Sequence, residues 1–111
     1  DAAAAPPCIR LTPERPRLLL GREACDVVLQ RPHVSKEHAL LELVPAPGGW
    51  ALTIQDMSVN GTWVDGHRLV SRRVRRLGVG ARVSFLPSAH TFYRDSLLYE
   101  VHALLATEAT P

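Results

Sequence analysis

The chain has 111 residues, 46% of them hydrophobic and 22% charged, which predicts one domain around one core. Its 13 basic and 11 acidic residues leave a net charge of +2, which suits an anionic ligand without naming one. Two isolated cysteines, Cys8 and Cys25, argue against a secreted disulfide framework, and no apolar run reads as a membrane span or signal peptide. The expectation is an intracellular protein, nuclear or cytoplasmic, that does not partner a membrane.

Taken in order, short alternating runs are broken by Gly, Pro, Asn and Asp, which predicts an all-β sandwich or barrel. Residues 1–7 read as a linker or the cut edge of a longer chain, 8–103 as the domain and 104–111 as a C-terminal tail. Strands are predicted at Cys8–Leu11, Arg17–Leu20 and Val27–Leu29. The clearest unit follows: His38–Val44, a five-residue link Pro45–Gly49, and Trp50–Asp56. Ala39, Leu41 and Leu43 share a face of the first arm; Trp50, Leu52 and Ile54 share one in the second, opposite Ala51, Thr53 and Gln55. The Pro/Gly link reads as the hairpin loop. Thr62–Val64 and His67–Leu69 are read as strands joined by Asp65-Gly66, a strong hairpin signal, and Arg82–Phe85 as another. Leu97, Leu98, Val101, Leu104 and Leu105 fit a helical stripe, whereas Leu97, Tyr99 and Val101 alternate; the segment is read as a strand into His102, with the tail left open.

Three loops hold the residues with chemistry: Gly21-Arg22, Ser35-Lys36-Glu37-His38, and Ser58-Val59-Asn60-Gly61-Thr62. In an antiparallel hairpin the start of one arm lies beside the end of the other, so His38 and Asp56 are expected to be neighbours. That reasoning brings the last two loops to one end of a sheet. It does not place Arg22 there.

Gly21-Arg22, Ser35-x-x-His38 and Asn60-Gly61-Thr62, followed by Trp63-Val64-Asp65-Gly66, resemble the ordered core motifs of forkhead-associated (FHA) domains. Asp26–Leu29 and Trp50–Asp56 are similar to that family too, so the resemblance runs from Leu18 to Phe85. It implies an all-β sandwich of two mainly antiparallel sheets with about 11 strands, which tips the last segment toward a strand. The implied partner is a phosphothreonine-containing protein or peptide held by loops at one end, with no cofactor and no catalysis. The alternative is an interaction module of the same fold that binds its partner independently of phosphate.

Phosphothreonine carries nearly two negative charges and three strong acceptors. By resemblance Arg22 meets it with a planar fork of donors, where a lone exposed Arg reads as a solvated side chain. Ser35 adds a hydroxyl and nearby N–H groups, against a plain turn residue; Lys36 adds a second charge, against an ordinary exposed lysine. Asn60 both donates and accepts, which suits clamping an extended peptide, and Asn60-Gly61 also reads as a turn. His38 is implied to bridge the loops by hydrogen bonds, with Gly21, Gly61 and Thr62 as architecture. Val59 stands where the family often has Thr. The missing hydroxyl forfeits a hydrogen bond to an ion, about 1.5–3 kcal/mol.

Other motifs lead elsewhere. The run from His33 through Glu37-His38 spaces its residues wrongly for a zinc protease, the 5 histidines are scattered, and no cysteine pair has ligand spacing, so no metal is expected. Ser, His and Asp lack a nucleophile-elbow sequence. Asn60-Gly61-Thr62 formally matches a glycosylation acceptor, which an intracellular chain leaves unused. Arg72-Arg73-Val74-Arg75-Arg76 is read as a basic rim on a loop and short strand in preference to a nuclear-localisation or nucleic-acid patch, and nucleic acid is not an expected partner.

Overall fold

Alternating side chains in two adjacent runs set the register of the longest hairpin, and the other strands assemble around it. In the computed structural model, which describes residues 8–85 and 97–102, the strands are β1 (Arg17–Gly21), β2 (Val27–Val28), β3 (Ala39–Ala46), β4 (Gly49–Asp56), β5 (Trp63–Val64), β6 (His67–Arg68), β7 (Val74–Leu77), β8 (Arg82–Ser84) and β9 (Tyr99–Glu100). One sheet has the order β2-β1-β3-β4-β7, the other β6-β5-β8-β9. Every pairing is antiparallel except β1 with β2. The fold is therefore the expected all-β arrangement of two mainly antiparallel sheets. No helix long and apolar enough to cross a membrane occurs among the described residues.

The core lies between the sheets. Leu18, Leu20, Leu41, Leu52, Ile54 and Leu77 come from the five-stranded sheet, and Val64, Val83 and Phe85 from the second sheet and the residue after β8. Each such side chain contributes about 1.5–3 kcal/mol by leaving water. Leu29 and Val34, between β2 and β3, are also buried in this core.

Several expectations are corrected. Pro45–Gly49 is not a five-residue loop: Pro45 pairs with Trp50 and Ala46 with Gly49, so the turn is Pro47-Gly48. Proline is tolerated in β3 because β1 ends its pairing at Glu42, so that among the described residues no strand pairs on that side with an N–H at Pro45. Trp50 is 43% exposed, unlike Leu52 and Ile54, since it lies on the hairpin tip beyond the reach of β1 and β7. Cys8–Leu11 forms no strand, and only an isolated bridge, Thr12 to Arg15, follows it. Ile9 and Leu11 still pack against the core, so their alternation reports burial without pairing.

Asp65-Gly66 closes the β5–β6 hairpin as expected, with both residues at positive φ. The last segment is a strand: β9 pairs with β8, and Val101 N–H donates to the Ala81 carbonyl at 2.9 Å. Leu104 and Leu105 lie outside the described residues.

Candidate functional site

Sheet register gathers the three loops. Leu20 pairs with Ala39, and Ala39 with Asp56, so the end of β1, the start of β3 and the end of β4 form one row. The loop after β1 carries Arg22, the loop before β3 carries Ser35 and Lys36, and the loop after β4 carries Val59 and Asn60. These five residues, with Pro32 and Val34, line one open depression of about 360 Å³.

Backbone hydrogen bonds hold Arg22 at this rim. Its N–H donates to the Ser35 carbonyl at 2.9 Å, and His38 N–H donates to the Leu20 carbonyl at 2.7 Å. Gly21 is required by close approach, because a Cβ there would overlap the Lys36 carbonyl oxygen. The Cys25 thiol donates to that same carbonyl at 3.1 Å. The side chain of Arg22 thus projects from a backbone braced against the next loop.

His38 sits beneath the loops, fully buried. Its Nδ1 accepts from Ser35 N–H at 3.0 Å, so the proton is on Nε2, which donates to the Gly61 carbonyl at 2.9 Å. The ring also packs edge-on to Phe85, centroids 4.9 Å apart. Spacing of three residues lets Ser35 and His38 close one turn, while the far nitrogen reaches across 23 residues of sequence. Gly61 adopts φ +111°, which only glycine takes without strain.

Asp56 is the hub that the sequence reading missed. Its Oδ1 accepts from Ser58 N–H at 3.2 Å, Ser58 Oγ at 2.6 Å and Thr62 Oγ1 at 2.8 Å, and Ser58 Oγ accepts from Gly61 N–H at 2.8 Å. Asp56 and Thr62 are both buried. The Asp-x-Ser spacing is a recognisable side-chain-capped turn. Pro32 and Val34 left no comparable signal, since they arrive from a loop whose path depends on the whole fold.

At the depression itself, Ser35 Oγ accepts from Val59 N–H at 3.0 Å, which leaves the hydroxyl proton to donate outward. Ser35's own N–H is committed to His38, which leaves its hydroxyl as the donor on this side of the depression. Asn60 Nδ2 donates to the His33 carbonyl at 3.0 Å, which orients the amide and leaves Oδ1 as an acceptor. Lys36 is exposed at the rim, and Val59 is 83% exposed.

Burial pushes the His38 pKa below its ordinary value of 6.5, outweighing the Gly61 hydrogen bond and the Asp56 charge that favour the cation. The unfolded chain therefore binds a proton near pH 6.5 that the folded chain refuses until lower pH. Stability is expected to fall as pH drops below that value, by up to about 1.4 kcal/mol per pH unit, until the folded-state pKa is reached. Denaturant melts across this range check it, with His38→Gln as the reference that cannot protonate. Equal pH slopes in both proteins would show that His38 is not the titrating group.

The family model described as FHA domain matches residues 18–86. The chain belongs to the FHA domain family. Among solved FHA structures it is similar to the MEK1 FHA domain, known alone and with a HOP1 phosphothreonine peptide; in the former it is 24% identical, covering 61% of this chain and 60% of that one, with a TM-score of 0.57. The N-terminal FHA domain of S. cerevisiae Rad53p, solved with a phosphothreonine peptide, is 23% identical over 76% of this chain and 64% of that one, TM-score 0.57. The yeast Pml1 splicing factor is 22% identical over 79% of this chain and 64% of that one, TM-score 0.63. This chain thus spans less than two thirds of the Rad53p, Pml1 and peptide-free MEK1 chains, and 72% of the peptide-bound MEK1 chain. No curated protein matches the sequence significantly.

Proposed function

We propose that this FHA domain binds phosphothreonine peptides and so mediates phosphorylation-dependent protein–protein interaction, without catalysis of its own. The observation that carries the reading is the convergence of Arg22, Ser35, Lys36, Val59 and Asn60 on one open depression. Relatives of the same fold, the FHA domains of MEK1 and Rad53p, have been solved with phosphothreonine peptides, which supports this ligand class.

Arg22 supplies the charged fork to the phosphate and Lys36 a second positive charge. Ser35 donates its hydroxyl proton, its oxygen being held by Val59 N–H. Asn60, braced on His33, offers Oδ1 to a peptide N–H. His38, Gly21, Gly61 and Thr62 hold the loops in place. Residues 8–103 form the working domain, placed inside the cell, nuclear or cytoplasmic, where kinases supply the ligand. A phosphopeptide array on the purified domain tests the reading: no phosphate-dependent spot would defeat it.

Val59 favours a second reading, binding without phosphate, because it presents a methyl where the family often places a hydroxyl. Val59→Thr decides between them. Both side chains are β-branched, and at 83% exposure the new hydroxyl is not buried unsatisfied. Affinity for a phosphothreonine peptide is expected to rise by up to about 1.5–3 kcal/mol, with the unphosphorylated control and the thermal melt unchanged. Calorimetric titration reads this directly. An unchanged affinity at an unchanged melt would favour the phosphate-independent module.

A further inference from the structure

The four arginines at 72, 73, 75 and 76 are absorbed by neither the fold nor the phosphate site. All are exposed, and none joins an ion pair among the described residues, where the acidic partners Asp26, Glu42 and Glu100 pair with Arg15, Arg17 and Arg82. They flank and occupy β7, which among the described residues pairs only with β4 and so forms an edge of the five-stranded sheet. In an antiparallel ladder every second residue of such an edge turns its N–H and C=O away from the sheet.

Valines are interleaved with the charge. Val70, Val74 and Val79 are 59%, 59% and 62% exposed. The edge also starts at the loop end of the sandwich. Arg72 N–H donates to the Asp56 carbonyl at 2.9 Å, and Gln55 Nε2 donates to the Arg72 carbonyl at 2.8 Å. From there β7 runs along β4, from Val74 beside Gln55 to Leu77 beside Leu52, away from the depression.

We infer that the β7 edge is a second docking surface, fitted to an extended acidic segment of a protein partner that adds to the sheet as a further strand. Charge selects the occupant. Two such edges brought together oppose arginine to arginine, so pairing with a second copy is repelled, whereas glutamates or aspartates on an incoming strand meet unpaired guanidinium groups. Backbone donors and acceptors supply the ladder, and the exposed valines supply apolar contact with alternate residues of the guest. Single-stranded nucleic acid fits less well, because residues 70–79 contain no aromatic ring for a base to stack on. A partner carrying both a phosphothreonine and an acidic strand would engage two sites on one domain, the second binding becoming intramolecular. The edge does not depend on the phosphothreonine reading, and its test is independent of Arg22.

The probe is a short fluorescent, unphosphorylated peptide of alternating glutamate and valine, measured by anisotropy on the purified domain. Three comparisons accompany it: the same peptide N-methylated at alternate residues, its lysine counterpart, and a single-stranded oligonucleotide. The acidic peptide is expected to bind in a salt-sensitive way, with slowed amide exchange in Val74–Leu77. Arg75→Glu/Arg76→Glu should weaken it at least roughly tenfold at unchanged melting temperature, and Arg22→Ala should not. N-methylation, which blocks strand pairing but keeps the charge, should abolish binding. The inference is overturned if the acidic peptide does not bind, if the N-methylated or lysine peptide binds as well, or if the oligonucleotide binds more tightly. Should the double variant melt early, Arg75→Gln/Arg76→Gln provides the charge test, and unchanged binding there overturns the inference too.

Discussion

Replacing Arg22 with alanine is expected to remove measurable phosphothreonine-peptide binding while the melting temperature stays where it was. The fold contribution is small because Arg22 is tied to the structure through its backbone N–H, which alanine retains. On the proposed reading the binding contribution is large, because the charge-assisted hydrogen bonds that the guanidinium fork would offer a phosphate are lost together. Truncating one partner of such a pair costs about 2–5 kcal/mol, roughly a thirtyfold to several-thousandfold loss of affinity. Arg22→Lys is expected to fall between, keeping the charge but not the planar fork. Wild-type binding should also weaken with added salt, since part of the attraction is screened. Titration calorimetry beside a thermal melt reads both quantities. A folded Arg22→Ala domain with wild-type affinity would mean that the phosphate sits elsewhere.

Asp56→Ala is expected to produce the largest loss of stability among single substitutions near the site. One carboxylate oxygen gathers Ser58 N–H, Ser58 Oγ and Thr62 Oγ1, and Thr62 is fully buried. Alanine leaves the Thr62 hydroxyl without this acceptor and frees the turn that Ser58 completes through Gly61 N–H. Each buried donor left unsatisfied costs about 1–3 kcal/mol, so a loss of about 3 kcal/mol or more is expected. For a domain of this size that lowers the melting temperature by roughly 12–24 °C. Asp56→Asn keeps an oxygen in the same place and should lose much less. Phosphopeptide affinity should follow stability, because Val59 and Asn60 lie on the loop that Asp56 braces. If Asp56→Ala melts with wild type, the network does not hold that loop.

How much of this was readable in advance divides along one line, local against distant. Alternation in His38–Val44 and Trp50–Asp56 reports which side chains face a core, and antiparallel geometry then makes His38 and Asp56 neighbours, as Ala39 opposite Asp56 confirms. Asp65-Gly66 specifies its own turn through positive φ. These features depend on a few consecutive residues and on one hairpin. By themselves they determine the class of fold and bring two of the three loops together.

The rest awaited the tertiary structure because its partners are far apart in sequence. Arg22 joins the site only when β1 takes its place beside β3, a pairing that no local pattern encodes. Pro32 and Val34 reach the depression along a loop positioned by the core, and Asp56 becomes a hub only once Thr62 folds back over it. Ile9 and Leu11 show the limit from the other side: alternation marks them for burial, but a strand also needs a neighbour's backbone, and none among the described residues pairs with theirs. Apolar spacing is a property of the chain, whereas hydrogen-bond pairing and the convergence of loops are properties of the assembled sheets.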